Sequence, residues 1–270
     1  MDLRHKRPHL LQIARLLAAC LTPANAFTPN AVVFEPVALT MSAGITVSPA
    51  LSPALDRPLL LRARELKRQL GDRLLWSQLN LELAAGDRLG LVAPSGAGKT
   101  LLLRALALLD PLECGTLSLL GRPPASWGLP RWRSMVLYLA QRPIAHSGTV
   151  EANLRSPWEF RELRGRGGWR YERINGWLQD LGRDASFLAY DAERLSGGEL
   201  QLLALLRALQ FDPTVLLLDE PTASLDGSTT AALEALLIEW LAAGARAAVL
   251  ISHDSEQIQR FATRTLELRP

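Results

Sequence analysis

Residues 91 to 100 read Leu-Val-Ala-Pro-Ser-Gly-Ala-Gly-Lys-Thr, LVAPSGAGKT, and the fold turns on this stretch. Gly96 and Gly98 allow the unusual dihedrals that point successive backbone N–H groups into one concavity, a nest for an anion. Lys99 can reach the outer phosphates of a polyphosphate from such a loop, and the Thr100 hydroxyl can hold Mg²⁺. The regular pattern, G-x-x-x-x-G-K-[ST], asks for glycine where Ala93 stands. Ala93 falls where the preceding strand ends, before the concavity proper. A methyl group there costs little in an extended backbone and about 1–2 kcal/mol in a left-handed one. Ala93, Pro94, Ser95, Gly96, Ala97, Gly98, Lys99 and Thr100 are therefore expected to form a working phosphate loop.

The composition singles out the lysine. Of 30 basic residues only Lys6, Lys67 and Lys99 are lysines, leaving 27 arginines. A slim ammonium threads a tight loop where a planar guanidinium does not, so Lys99 is there for its shape. The formal net charge is +3, and residues 1 to 40 account for +2 of it. That removes most of the electrostatic case for a nucleic-acid partner. Cys20 and Cys114 are too few for a disulfide framework or a zinc site, and no run of about 18 apolar residues spans a membrane.

The context of the loop is that of an α/β protein. LLLRARELKRQ from Leu59 and LLWSQLNLELAAGDRLGLVA from Leu74 alternate at period two and read as strands of a small sheet leading into a buried strand. TLLLRALALLDP, after the loop, has helical spacing up to Pro111. SMVLYLAQ is a strand, and Arg142 to Leu195 mixes helix and loop signals. GGELQLLALLRALQF is a helix, TVLLLDE a buried parallel strand, STTAALEALLIEWLAAG a helix and AAVLIS another buried strand. Strands alternating with helices predict a largely parallel sheet.

Three further motifs follow the loop, in the chain order LSGGE, VLLLDE, ISHD. VLLLDE sets Asp219 and Glu220 at the carboxyl end of a buried strand, where ligands of open α/β sheets bind. Asp219 is placed to hold Mg²⁺ through water, and Glu220 to orient or deprotonate an attacking water. Leu195-Ser196-Gly197-Gly198-Glu199, LSGGE, opens an apolar helix, either as a plain N-cap or as an anion site at the helix N-terminus. ISHD closes the set with His253.

These motifs, in their order along the chain, resemble the nucleotide-binding subunits of ABC transporters over residues 59 to 270. The resemblance implies a P-loop NTPase with a parallel-sheet core, a small antiparallel β subdomain and an inserted helical subdomain at about residues 142–200. It implies ATP and Mg²⁺ as cofactors, Ala93 to Thr100 as the Walker A loop, and Gln141 as the Q-loop glutamine that also reaches the metal. Ser196, Gly197 and Gly198 stand in the signature, Asp219 and Glu220 in Walker B, Asp226 in the D-loop, and His253 at the γ-phosphate switch. It further implies an ATP-sandwich dimer, in which Ser196 and Gly198 of one copy complete the site built on Lys99 of the other. An integral-membrane permease is the implied partner, with the chain peripheral on the cytoplasmic face of the inner membrane.

TVEANLRSPWEFR and LRALQFDPTVLLLDEPTASLD look most like the short ATPases of bacterial iron-export-type transporters. Two departures from the family pattern stand out: Leu70 falls near the aromatic that normally stacks on adenine, and Leu202 stands where an arginine is common. A soluble ABC ATPase acting on ribosomes or DNA is the alternative. SPWEFRELRGRGGWRYER, residues 156 to 173, interleaves arginine and tryptophan and reads as a solvated surface of the helical subdomain. His5, His9 and His146 match no motif. Residues 1 to 40 have the outline of a secretory signal, but Arg15 interrupts the apolar stretch. They read better as a disordered arm or as translation ahead of a start at Met41, followed by a Pro/Ser/Ala-rich linker to residue 58. No added C-terminal regulatory domain is expected.

Overall fold

A computed structural model describes residues 57–160 and 167–268, all within one compact unit. The N-terminal extension and most of the linker read from the sequence lie outside the described residues. The strands are β1 (Leu59–Leu70), β2 (Arg73–Ala84), β3 (Arg88–Val92), β4 (Cys114–Leu119), β5 (Val136–Leu139), β6 (Val215–Asp219), β7 (Ala247–Ile251) and β8 (Arg264–Glu267). The helices, numbered here in chain order, are α1 (Lys99–Leu106), α2 (Leu129–Met135), α3 (Val150–Arg155), α4 (Tyr171–Asp180), α5 (Gly197–Leu209), α6 (Gly227–Ala242) and α7 (Ser255–Phe261).

The core is a five-stranded sheet in the order β5-β6-β7-β3-β8, and every neighbouring pair in it is parallel. All five residues of β6 and of β7 are buried. Continuous apolar runs do this because helices cover both faces of the sheet. Alternate residues then serve opposite cores. Val215, Leu217, Val249 and Ile251 pack toward α1 and the small sheet, while Leu216, Leu218, Ala248 and Leu250 pack toward α5, α6 and α7. The smaller sheet is antiparallel, β2-β1-β4.

Four elements are additions to the sequence reading: α2, β4, α7 and β8. β4 comes so close to β1 that a Cβ on Gly115, at φ +93°, would run into the Arg64 carbonyl. β8 is a four-residue edge strand paired to β3, and α7 precedes it. The first helix is shorter than its apolar spacing predicts, ending at Leu106 because Leu108 turns left-handed. Arg104 then grips Asp110 through two hydrogen bonds of 2.9 and 2.7 Å, drawing the chain back across the helix end. The buried Trp132 indole donates to the Leu106 carbonyl at 3.0 Å and satisfies one of the open acceptors there. Leu202 is fully buried on α5, so leucine at that position is part of the docking core.

At Gly90 in β3 the helix layer packs closely on the sheet. A Cβ there would lie 2.8 Å from Ile258 Cγ2 and 3.2 Å from Ala262 Cβ. Gly90→Ala should therefore destabilise the domain by about 1–3 kcal/mol through overpacking. The measurement is the midpoint of denaturant unfolding, which should fall with an unchanged slope.

Candidate functional site

Because all core strands run parallel, their carboxyl ends meet at one edge. The pairings Leu139↔Leu218, Asp219↔Ile251 and Gly90↔Leu250 align the ends of β5, β6, β7 and β3. The loop after β3 carries the phosphate motif, the end of β6 the two carboxylates, the loop after β7 His253 and the loop after β5 Gln141. In open α/β sheets such an edge is where ligands bind.

The phosphate loop has the backbone its glycines predict. Gly96 is at φ +76°, and Gly98, the N-cap of α1, is at φ +88° in the left-handed region. A Cβ on Gly98 would also lie 3.0 Å from both Leu75 Cδ1 and Trp76 Nε1, a tight fit added to the strain of a side chain at that φ. Ala93 is not among the residues with positive φ, so its methyl group imposes no backbone strain. The Lys99 ammonium donates to the Ala93 carbonyl at 2.8 Å and to the Pro94 carbonyl at 3.4 Å. Its charge is thus held over the start of the loop. Pro94, Ser95, Gly96 and Thr100 are exposed, and Ala97 is buried beneath them.

Glu220 is the meeting point of the site. Its backbone sits at φ +51°, a conformation that costs a non-glycine residue of order 1 kcal/mol. Three contacts hold it there: its N–H donates to the Ile251 carbonyl at 3.0 Å, its carbonyl accepts from Gln201 Nε2 at 2.9 Å, and its carboxylate is engaged on both oxygens. Gln141 Nε2 donates to Oε2 at 2.8 Å, and His253 Nε2 lies 2.8 Å from Oε1. Gln141 and His253, unremarkable singly, are brought together on one carboxylate. The fixed carboxylate suits a base that orients water.

Asp219 is 2% exposed and accepts a hydrogen bond from the Tyr138 hydroxyl at 2.8 Å. Burial, and after it this bond, push the Tyr138 phenol well above its usual range, so it stays a donor. The oxygens of Thr100, Asp219 and Gln141 are hard donors of the kind Mg²⁺ takes. Among the described residues no group of three or more His, Cys, Asp or Glu side chains could hold a metal.

Lys99, Ala93 and His253 line one cleft of about 370 Å³, and Glu220, His253 and Thr222 line another of about 450 Å³. The signature residues lie elsewhere. Ser196 caps α5 in a full capping box with Glu199, and the Ser196 hydroxyl pulls the Glu199 carboxyl below its usual range. The nearest atoms around Gly197 and Gly198 belong to Ser224 and Leu225, and a Cβ on Gly198 would meet the Ser224 carbonyl at 2.8 Å. Asp226 caps α6, accepting from the Thr229 N–H at 2.9 Å. The Ser228 hydroxyl, followed by the Thr229 N–H, holds its carboxyl well below the usual range.

Sequence reasoning missed Tyr138, Gln201 and Trp76. Tyr138 shares the strand segment that ends at Gln141, and Gln201 lies in the helix that LSGGE opens, but only the β5–β6 pairing and the docking of α5 reveal what they touch. Leu70 is 62% exposed and offers no ring to a base. His146 bonds Ser156 at 2.9 Å and is structural, whereas His5 and His9 lie outside the described residues.

Known proteins bear on this geometry. The family model described as "ABC transporter" matches residues 76–223, more than half of the chain. "Probable iron export ATP-binding protein FetA" of Escherichia coli (strain K12) is 33% identical over 214 residues, covering 78% of this chain and 92% of that protein. "Fe(3+) ions import ATP-binding protein FbpC 1" of Rhodococcus jostii (strain RHA1) is 34% identical, covering 68% of this chain. The chain spans about half, 52%, of that relative's length. A solved "ATP binding subunit of ABC transporter" superposes with a TM-score of 0.69 at 22% identity, over 78% of this chain and 86% of that one. The chain belongs to the ATP-binding proteins of the ABC transporter family, enzymes that hydrolyse ATP with Mg²⁺.

Two substitutions test the loop. Ala93→Gly should change ATP affinity only a few fold, because about 1–2 kcal/mol is the most that could be at stake. A gain beyond about 30-fold would contradict the unstrained backbone at Ala93. Gly98→Ala should abolish tight ATP binding, measured with a fluorescent nucleotide.

Proposed function

We propose that this chain is the ATP-hydrolysing subunit of a transporter whose membrane path is a separate permease, and that the solute is exported metal, iron in the first instance. The observation that carries the proposal is the convergence of Gln141 and His253 on Glu220, from the ends of three adjacent parallel strands. In this reading residues 59–270 are the nucleotide-binding domain, with the helical subdomain at about 142–200 and residues 1–58 an extension. The loop from Ala93 to Thr100, through the N–H groups of its non-proline residues, and the Lys99 ammonium bind the phosphates. Thr100, Asp219 and Gln141 hold Mg²⁺, which supplies neutralisation of phosphate charge. Glu220 orients and deprotonates water, and His253 contacts the γ-phosphate.

Ser196, Gly197, Gly198 and Asp226 act on the ATP of a second copy of the chain. The nearest atoms around Gly197 and Gly198 belong to the Ser224–Leu225 turn and not to the phosphate loop of the same chain, which supports that role. A largely apolar cleft of about 490 Å³ opens beside Gln141, lined by Leu137, Arg142, Ile144 and Phe160, and Ile144 is 78% exposed. This cleft is the proposed seat of the permease, on the cytoplasmic face of the inner membrane, and no nucleic-acid partner is assigned. Closure by ATP can move a permease only through such a contact, because a ligand shifts an equilibrium by its differential affinity for the two states. The export assignment leans on the near-full coverage of the Escherichia coli relative. Other relatives are named for import of iron or of aliphatic sulfonates.

Glu220→Gln should slow hydrolysis by orders of magnitude while ATP binding persists, and Mg·ATP should then trap a dimer visible by light scattering. Persistent monomer would contradict the sandwich. The subunit should co-purify with a multi-span membrane protein, and Gln141→Ala should weaken coupling to it more than nucleotide binding. Loss of the subunit should raise cellular iron and sensitivity to peroxide. Co-purification with ribosomes or DNA instead would overturn the transporter assignment, and unchanged metal levels would overturn the iron assignment alone.

A further inference from the structure

The end of β5 holds both carboxylates of the neighbouring strand. Gln141 donates to Glu220 and Tyr138 donates to Asp219, each at 2.8 Å. Tyr138 has no place in the residue roles assigned above. Asp219 is nearly completely buried, and Tyr138 is its one side-chain hydrogen-bond partner among the described residues. A buried carboxylate without a donor carries a desolvation cost that no neighbour offsets. The torsion that turns a carboxylate is also broad and close to two-fold, so an unheld Asp presents either oxygen in turn. The Tyr138 hydroxyl removes both problems by engaging Oδ2, and Oδ1 is left with no hydrogen bond from the described residues.

We propose that Tyr138 is a positioning residue for Mg²⁺: it fixes the rotation of the Asp219 carboxylate so that one defined oxygen faces the ion or its water shell. The proposal rests on the reading of Asp219 as the metal-side carboxylate. Groups that hold a metal ligand from behind are commonly worth 10- to 100-fold in metal affinity. The packing role of the ring is separable from this one, because the ring lies against the core that contains α1 while only the hydroxyl meets Asp219.

The test measures fluorescent ATP binding to the full chain, first in EDTA and then across a Mg²⁺ titration. Tyr138→Phe should raise the half-saturating Mg²⁺ concentration about tenfold, with nucleotide affinity in EDTA unchanged. Tyr138→Met, which keeps apolar volume without the hydroxyl, should shift it in the same direction. An unmoved Mg²⁺ midpoint, or an equal loss of affinity in EDTA, would overturn the proposal, the second outcome showing that the residue serves packing alone. Asp219→Asn separates the two levels of the argument. If that variant leaves the Mg²⁺ midpoint where it was, the metal-side role of Asp219 fails, and Tyr138 with it. If Asp219→Asn shifts the midpoint and Tyr138→Phe does not, only the positioning role fails.

Discussion

The left-handed backbone of Glu220 is the constraint around which the site is arranged. A glutamate at φ +51° persists only where its surroundings overdetermine it, and here they do so from three directions. β7 accepts its N–H, α5 donates to its carbonyl through Gln201, and the loops after β5 and β7 take its carboxylate. Each of those partners belongs to a different packed element. The cost of the strained residue is borne by the whole parallel sheet, and the carboxylate gains a fixed direction in return.

The same sheet explains why the other side chains arrive where they do. β6 and β7 are buried along their full length, so neither can slide without carrying apolar residues from one core to the other. Asp219 and Ile251 are paired in register, which sets the first carboxylate beside the start of the His253 loop. Gly90 and Gly98 complete the frame by absence of side chain. The first lets α7 pack onto β3, and the second lets the phosphate loop pass over Leu75 and Trp76. The antiparallel sheet thereby forms the floor of the loop.

The LSGGE segment shows that a structural role and a functional one need not compete. Ser196 is a helix cap with its capping box intact, and Gly198 is required by the Ser224 carbonyl packed against it. Both facts concern the folding of a single chain. They also leave the N-terminus of α5 presented at an exposed Ser196 and Gly197, beside the turn that leads to Asp226.

Much of this was legible in the order of residues. The phosphate loop, the buried strands β6 and β7, the helix after β6 and the carboxylates at a strand end all follow from local rules: glycine dihedrals, apolar runs and helical spacing. Those rules act within ten or so residues, so they could name Lys99, Asp219 and Glu220 one by one, whereas Gln141 and His253 came only from the resemblance to a family. They could not find the pairing of β5 with β6, because parallel neighbours some 80 residues apart leave no local trace, and Tyr138→Asp219 and Gln141→Glu220 exist only through that pairing. Nor could they find β4, β8 or the early stop of α1. Those are short segments whose conformation is decided by a close backbone approach at Gly115, by the free edge of β3 and by the clasp of Arg104 on Asp110. Residue types supplied the chemistry, and long-range packing decided which groups meet, because contacts between distant segments are set by the burial of whole strands and not by the residues next to them.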